Sequence, residues 1–313
     1  MAIQSARVTK SIWRSIWRSI WQMALATAGI PSLTPAQAPI IEPAVRVSGS
    51  GPETYVLISG LMGGLAGYRR LENVLVRHGH RVIVIDPYRL SVDSADLSFT
   101  ALARRVDRVL ERSQVPSARL IGHSHGGGVA LRVAALNPNR VAELYLLDVG
   151  ALARQKTVVF SGSLRLVPII ARIPGGKAFI KGRIVRGLRE SSGHTNWLDA
   201  ETQAAYCNPF ITGIDRVIQM ALRLSRTQEP MSLAAVVARV RSPTTVLLGE
   251  APHIGGPVPG EMDALQPLGG LLRIEWLAGV GHFVHEEAPE AVAALILARA
   301  APVRPSLSIS TAQ

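Results

Sequence analysis

Stretches with the composition of buried β-strands alternate with stretches of helical periodicity along most of the 313-residue chain. The strand-like stretches are 54–60, 81–88, 118–124, 141–150, 244–250 and 271–279. Helical patterns stand between most of them, and a last helix is predicted from about Pro289 to Arg299. Hydrophobic residues make up 48% of the chain, which is enough for a packed core. The alternation predicts the α/β class, with a mostly parallel twisted sheet flanked by helices.

The alternation stops between Ala151 and Ser242, where helical stretches are broken by "IPGG" and "NPF". We predict that 151–242 is a helical cap inserted into an α/β core made of 46–150 and 243–301. A cap there would lie over the carboxyl ends of the strands, where open α/β sheets bind ligands. Residues 302–313 are rich in proline and serine, and we expect a disordered tail.

Residues 1–45 are set apart from the predicted fold by the repeat "SIWRSIWRSIWQ" at 11–22. On a helix, its isoleucines and tryptophans form one face and its arginines the other, which suits contact with a membrane surface. The segment also has features of a secretion signal, with "AQA" at 36–38 as a cleavage site. A third interpretation is a start without function. The chain is accordingly expected to be cytoplasmic, or exported or membrane-associated if residues 1–38 act as a targeting segment.

The formal net charge of +12 does not indicate nucleic acid as a partner, because there is no compact Lys/Arg block and no nucleic-acid motif. Part of the excess lies in residues 1–41, with four basic residues and no acid. Another part lies between Ala151 and Glu190, with nine Lys/Arg against one acid. These stretches favour an anionic membrane or an anionic substrate. The single cysteine, Cys207, excludes an internal disulfide and is interpreted as structural.

The segment "GHSHG" at 122–126 fits the pattern G-x-S-x-G and stands between a predicted strand and a predicted helix. In that context the serine occupies a strained turn, and its neighbours must be small for the turn to close. The following helix directs its positive end at the site. We therefore predict that Ser124 is a nucleophile; the alternative is a turn serine in an inactive protein.

The chain resembles the α/β-hydrolase superfamily, in particular its cap-bearing serine hydrolases, over about residues 50 to 300. The resemblance rests on "GHSHGG", on "LISGLMGG" and on "GVGHFVHEEAPEAV". It implies a triad in the order nucleophile, acid, histidine, with His282 as the general base and His285 as the lesser candidate. It also implies an oxyanion hole formed by the backbone N–H groups of Leu61 and His125.

The triad acid is not where the family usually keeps it, because Pro252 occupies that position in "LLGEAPHIGG". Three substitutes are available: Asp148, which ends the preceding strand, Glu250 and Asp263. We favour Asp148, since a carboxylate there can reach the histidine from the neighbouring strand end. Three glutamates follow His282, and we attribute them to the start of the last helix rather than to catalysis: Glu286, Glu287 and Glu290.

The predicted function is a serine hydrolase that cleaves an ester or related acyl bond of a small molecule, and the basic stretch at 151–190 favours an amphipathic or anionic one. The alternative is a weak or inactive member of the same fold that binds a small ligand or a membrane surface. The sequence contains neither a Cys/His cluster with metal-ligand spacing nor a phosphate-binding glycine fingerprint, so no metal and no cofactor are expected.

Overall fold

The computed structural model describes residues 44–91, 96–150, 152–153, 167–257 and 260–298. The repeat at 11–22, the rest of the N-terminal segment up to residue 43 and the predicted tail at 302–313 lie outside the described residues.

A seven-stranded sheet forms the centre of the fold. The strands are β1 (Val45–Ser48), β2 (Thr54–Ile58), β3 (Arg81–Ile85), β4 (Ala118–His123), β5 (Val141–Leu147), β6 (Thr244–Gly249) and β7 (Leu272–Leu277). Their order in the sheet is β1-β3-β2-β4-β5-β6-β7; β1 is antiparallel to β3, and the remaining neighbours are parallel. The predicted α/β class with a mostly parallel sheet is confirmed.

Helices cover both faces of this sheet, because side chains alternate between the two faces along each strand. The core helices are α1 (Arg69–Arg77), α2 (Phe99–Arg112), α3 (His125–Leu136), α9 (Val284–Glu287) and α10 (Pro289–Leu297). Val56 and Ile58 of β2 belong to an apolar cluster with helices α2 and α3, whereas Tyr55 and Leu57 belong to one with α1 and α10. Short 3₁₀ segments are Ala66–Tyr68, Arg89–Ser91, Pro138–Arg140 and Asp263–Leu271.

Between β5 and β6 the chain forms a helical insertion. Its helices are α4 (Val167–Arg172), α5 (Gly176–Glu190), α6 (Ala200–Thr212), α7 (Ile214–Arg226) and α8 (Leu233–Val237). The predicted break at "IPGG" separates α4 from α5, but the predicted break at "NPF" is wrong because Pro209 lies inside α6. Tyr206 and Cys207 in the preceding turn are buried, and this packing outweighs the backbone hydrogen bond that proline removes.

Strand β1 was missed by the sequence prediction, which began the core at residue 46 and assigned its first strand at 54. Val45 pairs with Ile85 and Ser48 with Val82 at the edge of the sheet. A four-residue, partly exposed strand carries too little apolar periodicity to be recognised in sequence.

The parallel strands end at one edge of the sheet, so the loops that follow them meet there. This edge brings together Ser124 after β4, Asp148 after β5 and the loop that leads from β7 to His282.

Candidate active site

Ser124 lies at a sharp turn between β4 and α3, with φ 52° and ψ −122°. A non-glycine residue with positive φ is uncommon, and such strain is concentrated at functional sites. The turn is held by a hydrogen bond of 3.0 Å from the Ser124 N–H to the Leu147 carbonyl of β5. Ser124 is only partly exposed, at the amino end of a helix whose first turn is buried. The backbone thus has the strand–turn–helix geometry that the sequence predicted.

The glycines on both sides of Ser124 are required by backbone contacts. A Cβ atom on Gly122 would lie 2.5 Å from the Gly126 carbonyl oxygen. A Cβ atom on Gly126 would lie 2.2 Å from the carbonyl oxygen of Ile58 in β2. Both distances are well inside van der Waals contact, so any side chain would force the turn away from the sheet.

We expect Gly126→Ala to destabilise the protein by about 3 kcal/mol or more, since its methyl group would meet rigid backbone. Urea unfolding followed by circular dichroism measures the change. Gly182→Ala in α5 is the matched control, because a Cβ there would meet nothing within 4 Å. In a helix that change should stabilise by about 0.5–1 kcal/mol. Equal stabilities for the two variants would contradict the packing described for the turn.

The predicted oxyanion donors are Leu61, in the loop after β2, and His125, the first residue of α3. The loop after β2 comes so close that a Cβ on Gly60 would lie 3.4 Å from the Ser124 Cβ. Among the described residues, neither the Leu61 N–H nor the His125 N–H has a hydrogen-bond acceptor. These two free donors beside the serine are available to bind a negatively charged oxygen.

The buried carboxylate of Asp148 contacts His282, with Oδ2 2.6 Å from Nδ1. Asp148 has φ 40°, and its second oxygen, Oδ1, accepts a hydrogen bond of 3.1 Å from the Gly249 N–H at the end of β6. Burial raises the pKa of Asp148. Its contacts with His253 and His282 lower that pKa by a larger amount, so the net shift is downward. An ionised Asp148 accepts the Nδ1 proton of His282, which leaves Nε2 with a lone pair.

The other two candidate acids do not contact His282. Glu250 is exposed just after β6, and its backbone N–H donates to Leu277. Asp263 is exposed at the start of a 3₁₀ segment. Of the three carboxylates that the sequence left open, the structure places Asp148 alone beside the histidine in the described part of the chain.

A second histidine, His253, also contacts Asp148, and the sequence prediction missed it. Its Nε2 lies 2.9 Å from Asp148 Oδ2, and its Nδ1 lies 2.7 Å from the Ala251 carbonyl oxygen. The signal in the sequence was the histidine in "APHIGG", in the loop where the family usually keeps its acid.

The donor atoms of Asp148, His253 and His282 all lie within 4.8 Å of one another, as a metal-binding set would. Two ligand atoms that each lie about 2.0 Å from a tetrahedral zinc ion are about 3.3 Å from each other. The observed carboxylate–imidazole distances of 2.6 and 2.9 Å are shorter and are those of hydrogen bonds. The cluster therefore fits shared protons better than a shared cation.

The remaining histidines of the site are buried and packed around His282. His123 donates from Nε2 to the His282 carbonyl oxygen at 2.9 Å, and its ring lies 4.3 Å from that of His285. Burial lowers the pKa of His285 to about 3 and that of His125 to about 4. His285, the lesser candidate for the general base, packs on Tyr68 and has no contact with Asp148 among the described residues. These rings support the loop that carries His282.

Glu287 joins the helical insertion to the histidine loop. Its carboxylate accepts backbone N–H groups of Gly193 and His194 in the insertion, and of Gly281 and Phe283 beside His282. The start of a helix alone therefore does not account for Glu287, since its carboxylate is buried and accepts hydrogen bonds from two loops. The His282 N–H also donates to the Ser191 carbonyl of the insertion at 2.7 Å. The insertion thus fixes the position of the histidine.

Replacing Glu287 by glutamine should cost about 2–3 kcal/mol of stability, because an amide NH2 would then face buried N–H donors. Urea unfolding gives the stability. Glu290→Gln is the control, since Glu290 is exposed one turn away on α10. It should change stability by less than about 0.5 kcal/mol. A Glu287 variant as stable as the control would contradict the role given to this carboxylate.

Glu286, the neighbouring glutamate, is buried against the insertion from the other side. It accepts a hydrogen bond of 3.1 Å from the Tyr206 hydroxyl of α6 and lies 3.4 Å from Arg70 Nε. Arg70 also contacts Asp199 and the Trp197 carbonyl oxygen in the insertion. Only Glu290, which lies 3.8 Å from Arg77, has the exposed position expected for the start of a helix.

The sequence profile described as "Alpha/beta hydrolase family" matches residues 48–295 of this chain. The chain belongs to this α/β hydrolase family. The matched region spans the described sheet from the end of β1 onwards and includes Ser124, Asp148 and His282. The predicted superfamily is confirmed.

Two curated relatives of this α/β hydrolase carry names of ester-cleaving enzymes. The mouse (Mus musculus) protein named "sn-1-specific diacylglycerol lipase ABHD11" is 24% identical over 258 residues, covering 75% of this chain and 76% of that protein. The protein named "Esterase YbfF" of Escherichia coli is 25% identical over 263 residues, covering 76% of this chain and 89% of that protein. These names support hydrolase activity for the chain.

The fold is also that of solved α/β hydrolase structures. A structure titled as an α/β hydrolase fold protein from Burkholderia ambifaria superposes with a TM-score of 0.60 at 22% identity. It covers 82% of this chain and 93% of that one. Within the described part of this α/β hydrolase, none of the helices combines the length and apolarity needed to cross a membrane.

Proposed function

We propose that the protein is a serine hydrolase that cleaves an ester or related acyl bond through an acyl-enzyme on Ser124. The observation that carries this proposal is the 2.6 Å contact between Asp148 Oδ2 and His282 Nδ1 at the edge of the sheet where Ser124 occupies its strained turn. A buried carboxylate that fixes one imidazole nitrogen leaves the other free for proton transfer.

In the proposed mechanism His282 acts first as a base. Its Nε2 takes the proton of the Ser124 hydroxyl as the oxygen attacks the acyl carbon. The Leu61 and His125 N–H groups bind the oxyanion of the tetrahedral intermediate, and the start of α3 favours the same charge. His282 then gives the proton to the leaving group, and the C–O bond breaks to leave an ester on Ser124.

Water completes the cycle by the same steps in reverse. His282 takes a proton from water, the resulting hydroxide attacks the acyl-enzyme, and the proton returns to Ser124 as the carboxylic acid leaves. The imidazolium that forms twice in this cycle is stabilised by Asp148, which keeps its negative charge throughout. The side chains of Asp148, His282 and Ser124, together with the Leu61 and His125 N–H groups, carry out these steps in the proposed mechanism.

For the substrate we propose a small amphipathic or anionic acyl compound. The support is the charge of α5, where Lys177, Lys181, Arg183, Arg186 and Arg189 are opposed by Glu190 alone. The diacylglycerol lipase and esterase names of the relatives point to the same acyl chemistry. Contact of residues 11–22 with a membrane surface, the absence of a nucleic-acid partner and the cellular location stay predictions from the sequence.

The alternative of a non-enzymatic binding protein rested on Pro252 at the usual acid position. With Asp148 in contact with His282, that feature no longer favours the alternative over an enzyme.

Stopped-flow mixing with p-nitrophenyl esters of short and long acyl chains tests the proposal. An acyl-enzyme pathway with slow deacylation predicts a burst close to one p-nitrophenolate per chain, followed by a slower steady rate. Acyl-thioesters in a parallel screen would define the leaving group. Folded protein that turns over neither esters nor thioesters would overturn the proposal.

A further inference from the structure

We propose that His253 is a positioning residue of the triad: held between Asp148 and the Ala251 carbonyl as an imidazolium, it shares the carboxylate with His282 and sets the pH range over which the enzyme is active. The second half of this statement rests on the proposed function. The first half concerns the resting protein and stands on the geometry of the cluster.

Both ring nitrogens of His253 face acceptors. Nδ1 lies 2.7 Å from the Ala251 carbonyl oxygen, and Nε2 lies 2.9 Å from Asp148 Oδ2. A carbonyl oxygen carries no proton, and a neutral imidazole carries only one N–H. If His253 were neutral with its proton on Nε2, the Nδ1 lone pair would face the carbonyl lone pairs. If the proton were on Nδ1, the Nε2 lone pair would face the carboxylate. Only the imidazolium satisfies both contacts.

A protonated Asp148 could in principle donate to His253 instead, but its other contacts argue against that form. The same oxygen, Oδ2, accepts from His282 at 2.6 Å, and Oδ1 accepts from the Gly249 N–H at 3.1 Å. Donors therefore surround the carboxylate, which is the arrangement that favours the ionised state. Asp148 is fully buried, so a cationic partner offsets the cost of burying its charge.

The loop "HIGG" is built so that two imidazole rings fit beside one carboxylate. A Cβ on Gly255 would lie 3.0 Å from His282 Nδ1, and a Cβ on Gly256 would lie 3.0 Å from His253 Nε2. Gly255 also has φ 108°, a conformation that side chains rarely adopt. The ring centroids of His253 and His282 are consequently only 6.0 Å apart.

The charged groups that face His253 come from three elements. Asp148 at the end of β5 and Glu287 on α9 are negative and favour its proton, whereas an imidazolium at His282 would oppose it. Burial lowers the pKa of His253, but the contacts with Asp148 and the Ala251 carbonyl raise it more, and the net shift is upward. The local charge balance thus agrees with the hydrogen-bond geometry.

The direction in which the charge of His253 shifts the pH dependence of catalysis follows from the carboxylate that it shares with His282. A positive His253 neutralises part of the negative field of Asp148, so a further proton in the site is less favourable than it would be beside Asp148 alone. The site is then active at lower pH. Removing the charge of His253 should move the acid limb of the kcat/KM profile to higher pH, and the enzyme should lose activity under mildly acidic conditions.

His253→Gln tests this, because the amide can still donate to Asp148 while the positive charge is lost. We expect the acid limb to rise by about one pH unit, with the plateau at high pH changed by less than about threefold. His78→Gln is the control, since His78 is an exposed histidine at the end of α1. The acid limb of the kcat/KM profile of this variant should stay at the wild-type pH. A variant that loses activity equally at every pH, without a shift of the limb, would show a merely structural histidine and overturn the proposal.

Nuclear magnetic resonance of the full chain with ¹⁵N-labelled histidine tests the protonation state without any substrate. At about pH 7.5, above the pKa of an ordinary histidine, one imidazolium with both nitrogens protonated should remain, and it should disappear in His253→Gln. A His253 signal with a single protonated nitrogen at that pH would refute the inference. An imidazolium in a chain without hydrolase activity would instead refute the proposed function alone.

Discussion

Ser124→Ala is expected to lower kcat/KM for an active ester by a factor on the order of 10⁶, because the reaction loses the atom that forms the acyl-enzyme. The turn should survive the change. The strain lies in the backbone at φ 52°, and alanine presents no larger side chain than serine to the surrounding glycines. Steady-state hydrolysis of a p-nitrophenyl ester, with unfolding curves for both proteins, measures the effect.

Ser113→Ala provides the matched control, since Ser113 follows α2 and precedes β4, whereas Ser124 follows the carboxyl end of β4. It should retain activity within about twofold, as expected for a substitution away from the reacting groups. A Ser124→Ala enzyme that is folded and keeps a tenth or more of the wild-type rate would place the nucleophile elsewhere.

Asp148→Asn is expected to lower kcat by about 10⁴-fold. Asparagine would present either an amide NH2 or a neutral oxygen to His282 Nδ1, so the ring would lose the charge that stabilises imidazolium and the contact that fixes its tautomer. The same change removes the partner of His253, and we expect the 250–257 loop to become less stable. The pH dependence of kcat and urea unfolding should both be recorded.

Glu250→Gln and Asp263→Asn test whether the loss expected for Asp148→Asn comes from its contact with His282 or from the removal of any negative charge near the site. Both carboxylates are exposed and lie on the loop where the family usually keeps its acid. Each variant should keep its rate within about twofold, since neither side chain reaches His282. A loss in Glu250→Gln as large as that in Asp148→Asn would mean that the histidine takes a different partner during turnover.

The parts of the site that could be predicted from sequence are those whose chemistry is local. Ser124 is recognisable because strand, turn, glycines and helix are contiguous, and each constrains the same few dihedral angles. His282 is recognisable through the resemblance of the short segment "GVGHFVHEEAPEAV" to the family. The proposed acid is different: Asp148 and His282 are separated by 134 positions, and they come together because β5 pairs with β6 and β6 with β7. The sequence therefore names three carboxylates and favours Asp148 from the order of the strands, but the distance to His282 is fixed only in the folded sheet.

His253 and Glu287 show a further limit of predicting a site from sequence. Their roles depend on counting donors and acceptors around them, and those partners come from loops that are distant in sequence. Glu287 looked like a residue at a helix start, yet its contacts with Gly193 and His194 make it a link to the insertion. The same reasoning applies to Pro209, where buried neighbours in α6 override a local break signal. Local patterns give the elements, and tertiary contacts decide which polar side chains act together.

The rate of covalent labelling by a fluorophosphonate tests the account most directly, because the reagent needs a nucleophilic serine, its base and the oxyanion donors but no particular acyl chain. The account predicts stoichiometric modification that peptide mapping places on Ser124. It also predicts no labelling of Ser124→Ala and strongly reduced rates for His282→Ala and Asp148→Asn, whereas Glu250→Gln should react at the wild-type rate. Folded wild-type protein that is not labelled, or a label on another residue, would contradict it.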